Sequence, residues 1–166
     1  MQWRWARAHD DIDITGEGGA LATRKSGSGG GYRSAVCGEV LQAEGEAYAE
    51  FTWVGGSYPM VGVARAGVDP SSLAGGLYQT ADGWMYCCGN GDHYHSGSVT
   101  SWASGEQQAI EEGGTVGLLL RRGSLSVHIG GRQVGVMCTG LSGALVWAAD
   151  LHYGASVRIA RKPPPA

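Results

Sequence analysis

Residues 114–132 read Gly-Thr-Val-Gly-Leu-Leu-Leu-Arg-Arg-Gly-Ser-Leu-Ser-Val-His-Ile-Gly-Gly-Arg. Thr115 to Leu120 is a short, nearly unbroken apolar run, the signature of a central strand covered on both faces. After Gly123, Leu125, Val127 and Ile129 alternate with Ser124, Ser126 and His128. That period of two sends one set to each face of a sheet. Gly130-Gly131 then supplies the two positive-φ residues of a tight hairpin. Arg132 to Met137 reads as the return strand.

The same grammar extends outward. Ile12 and Ile14 alternate with Asp11, Asp13 and Thr15, Gly16 to Gly19 makes a turn, and Ala20 to Thr23 returns. Ser26 to Gly31 is a Gly/Ser-rich loop. Tyr32 to Cys37 is a short strand. Tyr48 to Val54 is a stronger one, with Ala49, Phe51 and Trp53 on its inward face. Met60 to Ala64, Trp84 to Cys88, Ala144 to Asp150 and Ser156 to Ala160 complete the strand pattern. Only Glu106 to Glu112 reads as helix, and for no more than a turn or two. Thirty of the 166 residues are glycine, well over twice the usual ~7%. Glycine costs a helix roughly 1 kcal/mol per interior position. The chain reads as all-β, a sandwich or barrel, with little helix. It divides into an N-terminal extension (1–9), one domain (10–160) and a Pro-rich tail (161–166).

The net charge of −3 and pI near 5.9 give no electrostatic footprint for nucleic acid. The pairs Arg24-Lys25 and Arg121-Arg122 read as solvated faces. No apolar signal region follows Met1, and no apolar run is long enough to span a bilayer. The expectation is a soluble intracellular protein with no membrane partner. The four cysteines fit that compartment as free thiols.

Several segments, in order, resemble the SPRY family. They are Tyr48-Ala49-Glu50-Phe51-Thr52, Val61-Gly62-Val63-Ala64, and Gly83-Trp84-Met85-Tyr86 with Gly89-Asn90-Gly91 and His95-Ser96-Gly97. The series continues through Gly114 to Leu120, Gly123 to Val127, Gly130-Gly131 and Leu141-Ser142-Gly143-Ala144-Leu145. Thr115, Arg121-Arg122 and Gly130 depart from the family pattern, all at turns or strand ends. The resemblance covers roughly Asp10 to Ala160. It implies a bent β-sandwich of two antiparallel sheets. It also implies a non-catalytic protein–protein interaction module that binds a peptide or protein through loops at one end. The isolated domain is expected to be a monomer.

By that resemblance, three loops carry the contacts: Arg24 to Gly31, Arg65 toward Tyr78, and His152-Tyr153-Gly154. The candidate partner-binding residues are Arg24, Ser26, Ser28, Arg65, Tyr78, His152, Tyr153 and Gly154. Arg24 and Tyr153 lead, because arginine and tyrosine dominate interface hot spots. Tyr58 and Tyr94, also in loops, carry functional weight, whereas Trp53, Trp84, Trp102 and Trp147 read as core.

No catalytic residue is assigned. There is no Gly-x-Ser-x-Gly, no phosphate loop and no dinucleotide fingerprint, so no cofactor is implied. Cys87-Cys88, His93 and His95 carry zinc-ligand chemistry. However, adjacent cysteines in a strand diverge and no second pair completes a set, so no metal site is assigned. The alternative is a lectin-like or hydrolase domain on the same scaffold. A sandwich glycosidase needs two carboxylates across a groove, and Glu50, the one obvious acid within a strand, alternates away from the Ala49, Phe51 and Trp53 face.

Overall fold

The computed structural model describes residues 2–26, 29–102 and 108–166. Its strands are β1 (Trp5–Ala8), β2 (Ile12–Thr15), β3 (Leu21–Arg24), β4 (Arg33–Cys37), β5 (Leu41–Gln42), β6 (Glu46–Gly55), β7 (Met60–Arg65) and β8 (Gly83–Cys87). Then follow β9 (His93–His95), β10 (Ser98–Thr100), β11 (Thr115–Arg121), β12 (Ser124–Ile129), β13 (Arg132–Cys138), β14 (Ala144–Leu151) and β15 (Ser156–Arg161). They form two antiparallel sheets. One runs β1-β4-β14-β7-β8-β9-β10, with β5 beside β14, and the other runs β13-β12-β11-β6-β15-β3-β2. Neither sheet closes on itself, so this is a sandwich and not a barrel.

The residues that alternate inward fill the space between the sheets. Ala49, Phe51 and Trp53 of β6 meet Val116, Leu118 and Leu120 of β11, and Leu145, Trp147, Ala149 and Leu151 of β14. Aromatic rings lock the layers: Phe51 lies 5.9 Å from Trp147, and Trp3 lies 6.1 Å from Trp147. Each such pair adds about 0.5–1.5 kcal/mol beyond its buried area.

A second apolar cluster lies on the other face of the first sheet. Val36, Met60, Ala64, Met85, Cys87, Val146 and Ala148 are capped there by Leu77. The segment between β7 and β8 supplies this cover. It is why Met60 to Ala64 is apolar on both faces. Gly62 has no alternative at its position, since a Cβ there would overlap the Trp84 carbonyl oxygen.

The structure departs from the sequence reading in three places. Residues 1–9, expected to be an extension, contribute β1 and two core tryptophans, Trp3 and Trp5. The alternation Trp3-Arg4-Trp5-Ala6 is itself a strand pattern, with tryptophan inward and Arg4 outward, and a register shift between Trp5 and Arg7 leaves Arg7 exposed as well. Strands β5, β9 and β10 were not expected. In the stretch expected to be helical, Glu106 and Gln107 lie outside the described residues. Residues 108–112 are not helical: Ile110 bonds through its amide to the Cys88 carbonyl and joins the core. Among the described residues there is no α-helix, only 3-10 turns such as Leu77–Gln79.

Candidate functional site

Strand β14 carries Asp150 and Leu151 to one end of the first sheet, and the loop 152–155 follows. Asp150 follows Val146 and Ala148 on the outer face and is fully buried there beneath the β7–β8 segment. Its carboxylate accepts bonds from the Ser34 hydroxyl at 2.6 Å, the Leu77 amide at 2.9 Å and the Tyr78 amide at 2.9 Å. Burial pushes this carboxyl up to about 6, and the three hydrogen bonds oppose that rise. The bonds fix the 3-10 turn that presents Tyr78.

Tyr78 packs edge-on against Tyr32 at 5.2 Å and Tyr94 at 5.5 Å. Tyr32 in turn meets His152 at 4.9 Å, and His152 meets Tyr153 at 4.2 Å. The Tyr32 hydroxyl donates to the Tyr58 carbonyl at 2.9 Å. Tyr32, Ser57, Tyr58 and His152 line a cavity of about 290 Å³ that opens to solvent. Tyr58 is 52% exposed and Tyr153 54%. Burial, then the nearby Arg24 charge, lowers the His152 pKa, favouring a neutral ring. Burial likewise raises the Tyr32 and Tyr78 hydroxyls. These rings are held by edge-on packing and by the Tyr32 hydrogen bond.

The sequence candidates divide. Tyr78, His152 and Tyr153 come together on this rim, with Gly154 beside them, and Ser26 is exposed in the turn after β3. Ser28 lies outside the described residues. Arg24 was expected to reach a partner and is instead 1% exposed. Its guanidinium donates to the carbonyls of Gly29, Gly31 and Leu151, so it acts from beneath by holding loop backbone. Arg65 belongs to the opposite end of the sheet. It pairs with Leu145, whereas Asp150 pairs with Met60. At ~3.3 Å per residue that is a separation of ~16 Å. Arg65 lies over the Trp84 ring at 4.9 Å and donates to the Ser142 carbonyl. Sequence reasoning passed over Tyr32, which the structure puts at the centre of the ring cluster. Its signal was its place directly after the glycine loop.

The zinc-type residues do not converge. Cys88 points into the main core and Cys87 into the second cluster, as adjacent strand residues must. His95 bonds the Gly83 carbonyl and stacks on Trp84 at 4.6 Å. Among the described residues, no group of three His, Cys, Asp or Glu side chains is placed to hold a metal. Arg65 lies near the Trp84 ring and His95 stacks on it.

No family model matches the sequence, and no curated protein matches it. Solved structures do match. The SPRY domain of human HERC1 is 18% identical, with a TM-score of 0.76 over 95% of this chain and 97% of that one. The TRIM65 PSpry domain is 14% identical, with a TM-score of 0.72 over 98% of this chain and 93% of that one. Stonustoxin is 17% identical, with a TM-score of 0.70 over 96% of this chain but 27% of its own. At these identities the likeness is one of architecture: with the ordered motifs and two-sheet topology above, this chain has the fold of a SPRY domain.

Proposed function

We propose that this domain is a non-catalytic protein-recognition module that grips a peptide or protein partner at the tyrosine-rich loop end. The observation that carries this reading is the pair of half-exposed tyrosines, Tyr58 and Tyr153, on a rim of packed rings around an open cavity. Large aromatic groups held rigidly at low entropic cost are typical interface anchors. Tyr78, His152, Gly154 and Ser26 form the rest of the surface in this reading. The isolated domain is a monomer in this reading and serves as an adaptor within a larger assembly. All four cysteines are unpaired thiols, which fits a reducing intracellular compartment.

The test is capture of partners from a lysate of the source cells by the intact domain and by Tyr58→Ala and Tyr153→Ala variants. A partner held by the parent and lost by both variants, at unchanged melting temperature, supports the reading. A partner held equally by all three proteins overturns it for this surface.

A further inference from the structure

An antiparallel sheet with one face on the core ordinarily leaves the other face wet. In the second sheet the outward positions near the strand ends obey this, and Glu46, Arg121 and Val136 are exposed. The middle does not. Tyr48 is 5% exposed, Leu119 5%, Ser126 7% and His128 6%. They are neighbours, with Tyr48 opposite Leu119 and Leu119 opposite Ser126. The Tyr48 ring leans across Gly117, where any Cβ would overlap its hydroxyl. It meets the His128 ring edge-on at 6.0 Å. His128 Nε2 pairs with the Ser126 hydroxyl at 3.1 Å, while its Nδ1 is buried with no hydrogen-bond partner.

The Pro-rich tail runs beside these residues. Arg161, at the end of β15, stacks on Trp3 at 4.2 Å and pairs with Glu39 at 3.4 Å, which aims the chain across the face. Pro164 then borders a cavity of about 140 Å³ together with Trp3, Ala47 and Tyr48. Pro165 and Ala166 border one of about 300 Å³ with Leu119, His128, Arg132 and Gln133. Three successive prolines hold the backbone near a polyproline helix, an extended rod with no internal hydrogen bonds. Such rods dock in aromatic-lined grooves at low entropic cost. Tyr48 and His128 supply that lining, with Trp3 buried at the end nearest Arg161.

We propose that the outer face of the second sheet is a docking groove for proline-rich peptides, occupied in cis by residues 162–166 and available to a proline-rich segment of another protein that displaces them. Exposed Arg132 at the far end favours an acidic residue after the prolines. This surface lies on the opposite sheet from the Tyr78 and Asp150 latch and does not depend on the loop-end reading.

The experiment uses the fluorescein-labelled peptide Lys-Pro-Pro-Pro-Ala-Glu and fluorescence polarisation. The full chain, a chain ending at Arg161, and the full chain carrying Pro164→Gly with Pro165→Gly are titrated in parallel. A tethered competitor raises its own local concentration. The truncated chain should therefore bind at least tenfold more tightly than the full chain, and the double glycine variant should fall between them. Leu119→Arg in the truncated chain should abolish binding, and Tyr153→Ala in the truncated chain should leave it unchanged. Equal affinity of all three tail forms, or loss of binding in the Tyr153→Ala form, overturns the proposal. So does full peptide affinity in the Leu119→Arg form. Should Leu119→Arg fail to fold, the order of the three tail forms decides alone.

Discussion

The Arg24 guanidinium donates to the Leu151 carbonyl at 3.0 Å, and the same nitrogen donates to the Gly31 carbonyl at 2.7 Å. A side chain rooted in β3 of the second sheet thereby holds the end of β14 in the first. It also holds the glycine loop, where a Cβ at Gly30 would come within 3.1 Å of the Tyr153 hydroxyl. The rim that carries Tyr153 is set from within the core. Burial and the neighbouring Arg33 charge lower the Arg24 pKa, yet an arginine remains charged across the physiological range.

Arg24→Ala should therefore cost stability and binding together. Hydrogen bonds to charged groups contribute roughly 1.5–3 kcal/mol each when fully buried, and Gly29, Gly31 and Leu151 would lose a charged donor, with the two loop carbonyls able to turn to water. A loss of about 2–4 kcal/mol is expected in urea denaturation, with weakened affinity for a loop-end partner. Arg24→Lys should not rescue it, because a single ammonium cannot span the carbonyls that the planar fork reaches. A lysine variant of parental stability would refute this account.

The Asp150 latch predicts a pH dependence. Its carboxyl is raised from 3.8 to about 6, by burial first of all. A carboxyl raised on folding contributes stability that is complete below its unfolded pKa and is lost as pH rises through its folded pKa. Asp150→Asn keeps the shape and removes the titration. The stability of the parent relative to Asp150→Asn should thus fall between pH 4 and about 6 and level off above it. Urea midpoints at half-unit pH steps check this, and parallel curves for the two proteins would count against it.

How far the sequence could be read follows from particular residues. The β11–β12–β13 unit was legible because strict alternation and Gly130-Gly131 agree with each other. Strands β9 and β10 were not, since His93–His95 and Ser98–Thr100 are too short and polar to show a period. The cover between β7 and β8 has no period at all, so the second apolar cluster was visible only as the two-faced run at Met60. Tyr78 and Tyr153 drew notice because tyrosine in a loop is conspicuous, and His152 because the SPRY resemblance assigns contacts to residues 152–154. Arg24 was misplaced although a signal existed: it shares the inward face of β3 with Ala22, and both are buried. Asp150 carried the same kind of signal, an acid in register with Val146 and Ala148 on a covered face.

Gly89 supports Tyr58 from below. A Cβ there would overlap the Tyr58 ring, which packs edge-on against Trp53 at 5.7 Å. Gly89→Ala must push that ring outward, a strain of about 1–3 kcal/mol by the usual cost of overpacking. Chemical-shift changes in the Tyr58 ring, with reduced partner affinity, are expected. A Gly89→Ala protein with unmoved Tyr58 resonances would show that the ring is not held there.

Tyr153 and Tyr78 separate binding from support. Tyr153 is 54% exposed, so Tyr153→Ala removes little buried area and should change stability by no more than about 0.5 kcal/mol. As an interface anchor its loss should cost about 2 kcal/mol of binding, roughly thirtyfold in affinity. Tyr78 sits between Tyr32 and Tyr94, and its amide feeds the Asp150 carboxylate. Tyr78→Ala opens a hole in that packing and should lower stability by about 2 kcal/mol or more, while weakening the partner as the rim relaxes. Melting curves paired with titration of a captured partner distinguish the two. If Tyr153→Ala loses stability as Tyr78→Ala does, its ring is part of the scaffold. If neither variant changes affinity, the partner docks elsewhere on the sandwich.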